Sequence, residues 1–301
     1  MFHQNGVIRS GWDDKLFDVV VYILLTAALL TVLYPLIFVV SSSFSSPKAV
    51  LNGSVILWPV EPGIQAYEAV FCNRQIMTGF RNSLLYTAAG TVLSVVMGMV
   101  AAFPLSRKDL LGKNIINFIF IFTMFFSGGL IPYFLLVKDT LRLYDTPWAL
   151  ILPGMISVWY VILMRTYIQS AIPEELIESA ELDGCSVFGT FARIIVPLSK
   201  PTMAVVALYS AVAIWSSYFE AFIFIRSQNL YPLQVVLRNI LILNNVTPDM
   251  LGDVKSIAQR QGMKTLVKYS IIVVSSAPLL LVYPFVQKYF VKGIMIGSLK
   301  G

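Results

Sequence analysis

Few residues in this chain are equipped for chemistry. His3 is the only histidine, so a His-based acid–base or nucleophilic site is not expected beyond the tail. Cys72 and Cys185 form neither a CxxC motif nor a Cys/His cluster, and no metal site is expected. A phosphate loop needs GxxxxGK followed by Ser or Thr. Gly184 and Gly189 have the glycine spacing, but Thr190-Phe191 follow, and Gly262-Met263-Lys264-Thr265 fits no better. The chain should bind no nucleotide and catalyse nothing. Asp18 falls near the start of one apolar run, whereas Glu220 falls well inside another, where a charge is costly and marks a functional suspicion.

The elements that must position these residues are apolar. Of 301 residues, 57% are hydrophobic and 13% charged, about half the charge of an ordinary soluble domain. That composition excludes both a soluble globule and a disordered chain. A helix crosses a bilayer with about 20 apolar residues. Six runs qualify, at 16–40, 80–104, 114–137, 147–168, 202–225 and 266–287, and none alternates like a barrel strand. The expected fold is an all-α membrane protein with six transmembrane helices in one domain, 1–301. The first run is too long for a signal-peptide core and follows Asp13-Asp14, so it reads as an uncleaved helix. With both termini inside, the 22 Lys and Arg divide evenly between the two sides. Arg226, Arg238, Lys255, Arg260, Lys264 and Lys268 all belong to one outer segment. Setting that segment aside favours cytoplasmic termini.

The link at 172–201 is built unlike slack chain. Pro173 suits a first helical position, and Glu174 and Glu175 suit the positive end of a helix dipole. Leu176 and Ala180 fall on one face, and Glu174, Glu178 and Glu181 form a stripe on another. Asp183-Gly184 should break the helix. Val187, Phe188, Phe191, Ile194 and Ile195 then make a second amphipathic stretch, with Pro197 and Pro201 ending it and opening the next span. An interfacial helix pair is the plain reading. An acidic stripe suits an anionic leaflet poorly, which favours docking to a cytoplasmic partner.

The run E-S-A-x-x-D-G-C, with Phe191, Ile194, Pro197 and Pro201 after it, resembles the EAA motif of ABC importer permeases. That motif is E-A-A-x-x-x-G followed by I-x-L-P. Ser179 stands for an Ala, Cys185 for a small residue and Val196 for Leu, swaps that keep size or apolar character. Ala101-Ala102-Phe103-Pro104-Leu105-Ser106-Arg107 is similar to a sugar-permease signature. FSGGLIP at 126–132, LYDTPWALILP at 143–153 and YPFVQKYFVKG at 283–293 look like the second, maltose-type subunit branch.

The resemblance implies a type I ABC importer permease fold in the bacterial cytoplasmic membrane and transport of a carbohydrate by alternating access. It implies a heterodimer with a homologous permease subunit, two copies of an ATPase subunit that carry ATP and magnesium, and an extracytoplasmic solute-binding protein. No nucleic acid is expected. The 172–201 loop becomes the coupling helix that sits on the ATPase, through Glu178, Ser179, Ala180, Asp183 and Gly184.

Trp215, Ser216, Tyr218, Phe219, Glu220 and Phe222 become candidates for the substrate path, since aromatics beside polar groups suit sugar rings. Ser216 stands where this branch usually has Asn. Ser216 and Glu220 would share one helix face and Trp215, Phe219 and Phe222 another. Alternatively Glu220 reaches water or pairs with Arg226, and the aromatics pack on the partner. The outer loop at 227–265 would meet the binding protein. Its basic balance suits an acidic surface or an anionic oligosaccharide such as alginate, and plain solvation accounts for it equally.

Gly90, Ser94, Gly98 and Ala102, every fourth residue of the second run, should let helices approach closely. Pro278 and Pro284 should kink the last run, and Arg165 should snorkel to the interface. Cys72 and Cys185 should lie on opposite sides and never pair. A reading from another class makes the chain a secondary transporter or channel, with Glu220 as the ion or proton site. It leaves the EAA-like loop without a role.

Overall fold

A computed structural model of the chain describes residues 12–242 and 257–298, and all regular structure there is helical. In chain order the helices are α1 (Trp12–Ser43), α2 (Pro47–Leu51), α3 (Gln65–Cys72), α4 (Arg74–Ser106), α5 (Lys113–Phe125) and α6 (Leu130–Leu135). Then come α7 (Trp148–Ile151), α8 (Val158–Ala171), α9 (Glu174–Leu182), α10 (Val187–Thr190) and α11 (Val196–Leu198). The last are α12 (Lys200–Ser216), α13 (Phe219–Phe224), α14 (Leu233–Leu241) and α15 (Ile257–Ser298). Short π-helical turns follow α6, at Leu136–Thr140, and α10, at Phe191–Ile195. Of the outer loop expected at 227–265, residues 243–256 lie outside the described chain.

Three helical stretches are continuous, long and apolar enough to cross a membrane: Trp12–Ser43, Arg74–Ser106 and Arg260–Val282. Two more arise if bent pairs count as single spans. Lys113–Phe125 and Leu130–Thr140 meet at 110°, and Val187–Leu198 and Lys200–Ser216 at 76°. Several of the apolar runs are therefore broken helices. The first bend falls at Gly128-Gly129, where Gly129 takes φ +86°, a region that favours glycine. The run at 147–168 divides around Pro153-Gly154 into α7 and α8. The run at 202–225 divides at Ser217-Tyr218 into α12 and α13. The last run stays helical through Pro278 and Pro284.

The chain forms two compact units. One comprises Met1–Val70 with Val246–Val273. Within it, α1 exposes its sides through most of its length and buries only Ser41, Ser42 and Ser43. That serine run ties down the segment between α1 and α3. Ser41 Oγ donates to Leu57 O, Ser45 Oγ accepts from Val60 N at 3.0 Å, and Ser43 Oγ bonds Tyr67 Oη at 2.7 Å. Ser270 Oγ donates to Ser43 O, and Gly262 lies so close to Pro47 that a Cβ would sit 2.7 Å from its carbonyl oxygen.

The other unit comprises Phe71–Asn245 with Val274–Gly301, and α4 is its axis. The small residues of α4 work within the subunit. A Cβ on Gly90 would reach within 2.6 Å of Ile214 on α12, and one on Gly98 within 3.2 Å of Met164 on α8. Val95, Met99, Ala102, Phe103 and Leu105 of α4 then share a core with Val161, Met164, Ile168, Ile195 and Val206. Between helices that cross a bilayer, such a core is held by close van der Waals packing, which the small residues of α4 allow. Arg165 is turned inward as well. Its Nη1 donates to Asn117 Oδ1 on α5 at 2.6 Å, which ties the two helices and replaces the expected snorkelling.

Candidate functional site

The 172–201 link forms a helix–hinge–helix. Pro173 immediately precedes α9, one position before the first helical residue where it was expected. Glu174 and Glu175 occupy the first turn, where the helix dipole favours acids. Asp183 caps the end and Gly184 takes φ +77°. Cys185 N donates to Ala180 O at 2.9 Å and Gly184 N to Glu181 O at 3.0 Å, the paired bonds of a Schellman motif. Ser186 Oγ then accepts from Gly189 N at 3.1 Å and starts α10. Pro197 has no N–H to give, and the π-helical turn Phe191–Ile195 stands just before it.

The faces of α9 differ from the sequence expectation. Ala180 is buried and Ile177 packs on the core, while Leu176 is exposed. The inward pair is thus three apart, and Ile177 packs on the core that includes Ile168, Ile172 and residues of α4. Glu178, Ser179, Asp183 and Gly184 are exposed, and Ser179 Oγ donates back to Glu175 O. Leu182, Val187 and Phe188 project around the hinge, Leu182 at 90% exposure.

The acidic stripe is partly occupied within the chain. Arg107 Nη1 pairs with Glu181 Oε1 at 2.7 Å, and Lys108 Nζ pairs with Glu174. Arg107 also gives Nε and Nη2 to Asp109, at 2.8 and 2.9 Å. That fork holds the Asp109 carboxyl below the usual carboxylate range. The Glu174 hydrogen bond raises the Lys108 ammonium above its ordinary value. A groove of about 590 Å³ lies between these groups, with Gln169, Glu178 and Pro173 in its walls.

A second concavity, of about 260 Å³, lies among α4, α6, α8, α12 and α13. Hydroxyls dominate its polar lining: Ser83, Tyr86 and Ser94 from α4, Tyr133 from α6, and Ser157, Tyr160, Ser210 and Ser217 beyond. Glu220 is its one acidic or basic lining residue. The break at Ser217-Tyr218 removes the helical register in which Ser216 and Glu220 would share a face. Ser217 Oγ donates to Glu220 instead.

Of the six path candidates, only Glu220 lines this cavity. Trp215 is buried beside it, with its indole donating to Ser275 O at 3.0 Å and its ring edge-on to Phe80. Ser216, Tyr218, Phe219 and Phe222 are exposed, and the Arg238 guanidinium lies 4.5 Å over the Phe222 ring. The hydroxyl wall escaped the sequence reading. Its one visible trace was Ser83, Tyr86, Gly90 and Ser94, a small or polar stripe at helical spacing along α4.

The first part of the expected outer loop is packed. Asn82 Nδ2 donates to Asn229 O at 2.8 Å and Tyr231 O at 3.1 Å, and Tyr86 Oη donates to Leu230 O. Ser83 Oγ accepts from Leu233 N at 2.8 Å. Five residues of α14 are then buried against the unit, including Leu233 and Val236 beside Gly79. Arg226 does not meet Glu220 here. Its backbone N–H and that of Ser227 donate to Asp145 Oδ1, at 2.9 and 2.8 Å, and Ser227 Oγ donates to Oδ2. These bonds, led by the Ser227 hydroxyl, hold the Asp145 carboxyl below its ordinary range. Asp145 takes a left-handed φ of +58° to make them. Cys72 and Cys185 are both free, and no cluster able to hold a metal occurs among the described residues.

Residues 90–296 match the family model described as "Binding-protein-dependent transport system inner membrane component". The chain is 40% identical over 290 residues to the polygalacturonan/rhamnogalacturonan transport system permease protein YtcP of Bacillus subtilis, covering 96% of this chain and 99% of that one. It is 37% identical to Protein LplC of the same organism, over 95% and 96% of the two chains. Among solved structures it is similar to a chain from the crystal structure of a bacterial ABC transporter involved in the import of the acidic polysaccharide alginate. The TM-score there is 0.87 at 34% identity, covering 93% of this chain and 99% of that one. With this family match and near full-length likeness to these proteins, the chain belongs to the family of binding-protein-dependent transport system inner membrane components.

Proposed function

We propose that this chain is one of two related membrane subunits of an ATP-driven carbohydrate importer. It works with a second permease subunit, a pair of cytoplasmic ATPase subunits and an extracytoplasmic binding protein. The observation that carries the reading is α9 and its Gly184 hinge. A short helix with one tightly buried residue, ended by a Schellman turn and flanked by exposed Leu182, Val187 and Phe188, is shaped to seat in another protein. Glu178, Ser179, Asp183 and Gly184 form the docking side, and Ala180 seats the helix on its own subunit. Both termini then lie in the cytoplasm with α9, across six passages of the chain. ATP and magnesium stay on the partner, and no step of covalent chemistry falls to this chain.

The hydroxyl-lined cavity with Glu220 forms part of the path, and the exposed Tyr218, Phe219 and Phe222 face either the path or the partner subunit. The cargo is an oligosaccharide. The polygalacturonan/rhamnogalacturonan permease and the alginate importer that the chain resembles point to an acidic one. Co-purification with an ATPase and ATP-driven uptake by the assembled complex test the reading. Gly184→Pro should abolish uptake, because proline cannot adopt φ +77°. If the chain never associates with an ATPase, or if Gly184→Pro transports normally, the proposal fails.

A further inference from the structure

We propose that Arg107 and Lys108 bolt the two ends of α9 to the end of α4, so that α4 carries the movement of α9 to the cavity. This rests on reading α9 as the ATPase-coupling element and adds the route by which its motion leaves it. Arg107 and Lys108 are positioning residues in this scheme, since neither touches substrate or nucleotide.

Apolar contact alone holds α9 weakly. Ile177 packs on the core and Ala180 is the one buried residue of the helix. The charged contacts add two fixed points. Glu174 and Glu181 are seven residues apart, roughly 10 Å along the helix axis. One attachment would let the helix pivot, whereas two resist rotation as well as sliding.

The anchor on α4 is itself immobilised. Arg107 ends α4, with its N–H bonded to Pro104 O. Its carbonyl accepts from Lys113 Nζ at 2.6 Å, and the carbonyl of Ser106 accepts from Gln169 Nε2 at 3.0 Å. Asp109 takes Nε and Nη2 of the planar guanidinium and leaves Nη1 aimed at Glu181. The Arg107 side chain is 21% exposed and that of Lys108 80%, so the Arg107–Glu181 pair carries most of the load.

Above this anchor, α4 has little slack. Gly98 and Gly90 are closed upon by Met164 and Ile214. A close-packed helix shifts as a unit more readily than it deforms. Ser94, thirteen residues and roughly 20 Å from Arg107 along α4, lines the cavity.

The test uses the whole importer in nanodiscs, with Cys72 and Cys185 replaced by serine and Ser94→Cys as the reporter. Labelling of that cysteine by a membrane-impermeant thiol reagent is compared between the nucleotide-free and vanadate-trapped complexes. The parent should differ between the two states by about tenfold, an ordinary size for coupling between sites. Arg107→Ala and Glu181→Ala should each bring that ratio near one while the ATPase stays bound and keeps hydrolysing ATP. The double variant should fall no further than either single one, and Arg107→Lys should recover part of the ratio. Undiminished switching in Arg107→Ala overturns the proposal. So does loss of the ATPase from the complex, which would make the pair a support for docking alone. A parent that never switches overturns the coupling reading and this one with it.

Discussion

Two helices of nine residues each, α9 and α14, sit in polar links between apolar runs, and they are held in opposite ways. α9 buries one residue, Ala180, and is steadied by ion pairs and a glycine hinge. α14 buries Leu233, Val235, Val236, Leu237 and Ile240, and hydrogen bonds from Asn82, Tyr86 and Ser83 fasten the chain leading into it. Charge pairs at a surface are individually weak and directional, whereas buried apolar area is strong and indifferent to small rotations. α9 is therefore lightly held and α14 firmly held. Length and polarity of a link do not tell the two apart; the partner surface does.

The contrast is sharpest where the expected effects are largest. Leu233→Ala removes a fully buried side chain beside Gly79 and should cost about 2–5 kcal/mol, read as a lowered midpoint of thermal unfolding in detergent. The same truncation at exposed Leu182 should leave that midpoint unchanged and weaken only retention of the ATPase. If Leu182→Ala unfolds the protein as readily, α9 is as structural as α14.

Gly184→Val comes next. Nothing crowds a Cβ at that position, so the cost is purely that of a left-handed backbone, about 1–2 kcal/mol. Gly184→Asn should recover much of the lost uptake, because Asn tolerates that conformation. Equal loss in both variants would mean the hinge acts through something other than φ.

Asp145 supplies a pH test. Its carboxyl is held below the ordinary range by Ser227 and the backbone of Arg226, so its protons leave more easily in the folded chain. The stabilisation is present above the unfolded value of about 3.9 and is lost as pH falls through the lower, folded value. The unfolding midpoint should fall below about pH 4 by less in Asp145→Asn than in the parent. Identical pH profiles would remove the staple. Lys108→Ala should do least. Its pair is exposed, and no shift in unfolding midpoint is expected even where the coupling readout responds slightly.

Much of the site was legible in residue types alone. Asp183-Gly184 marks the hinge, because a left-handed position selects glycine almost by itself. The four-residue spacing of Gly90, Ser94, Gly98 and Ala102 marks a close helix contact, and the structure names its partners as Ile214 and Met164. The inward face of α9 was misplaced by one residue. Leu176 was paired with Ala180, yet it is Ile177 that packs on the core while Ala180 is buried. The stripe of glutamates was recognised, while its pairing with Arg107 and Lys108 spans some seventy residues of sequence, beyond any local pattern. Span integrity was overestimated for a similar reason. Hydropathy averages over a window and passes smoothly across Gly128-Gly129, Pro153-Gly154 and Ser217-Tyr218, where the backbone turns.

By itself, then, the sequence determined what local chemistry can determine: an all-helical apolar chain, a helix–glycine–helix link with acidic character, and an acid, Glu220, well inside an apolar run. These follow from side-chain hydropathy and from backbone preferences that act within a few residues. Only the tertiary structure decided which hydroxyls gather around Glu220, which link is wedged and which is hinged, and which basic residues meet the glutamates of α9. Those outcomes depend on contacts between residues far apart in the chain, where small residues on α4 let other helices close in and fix the neighbours of every other group.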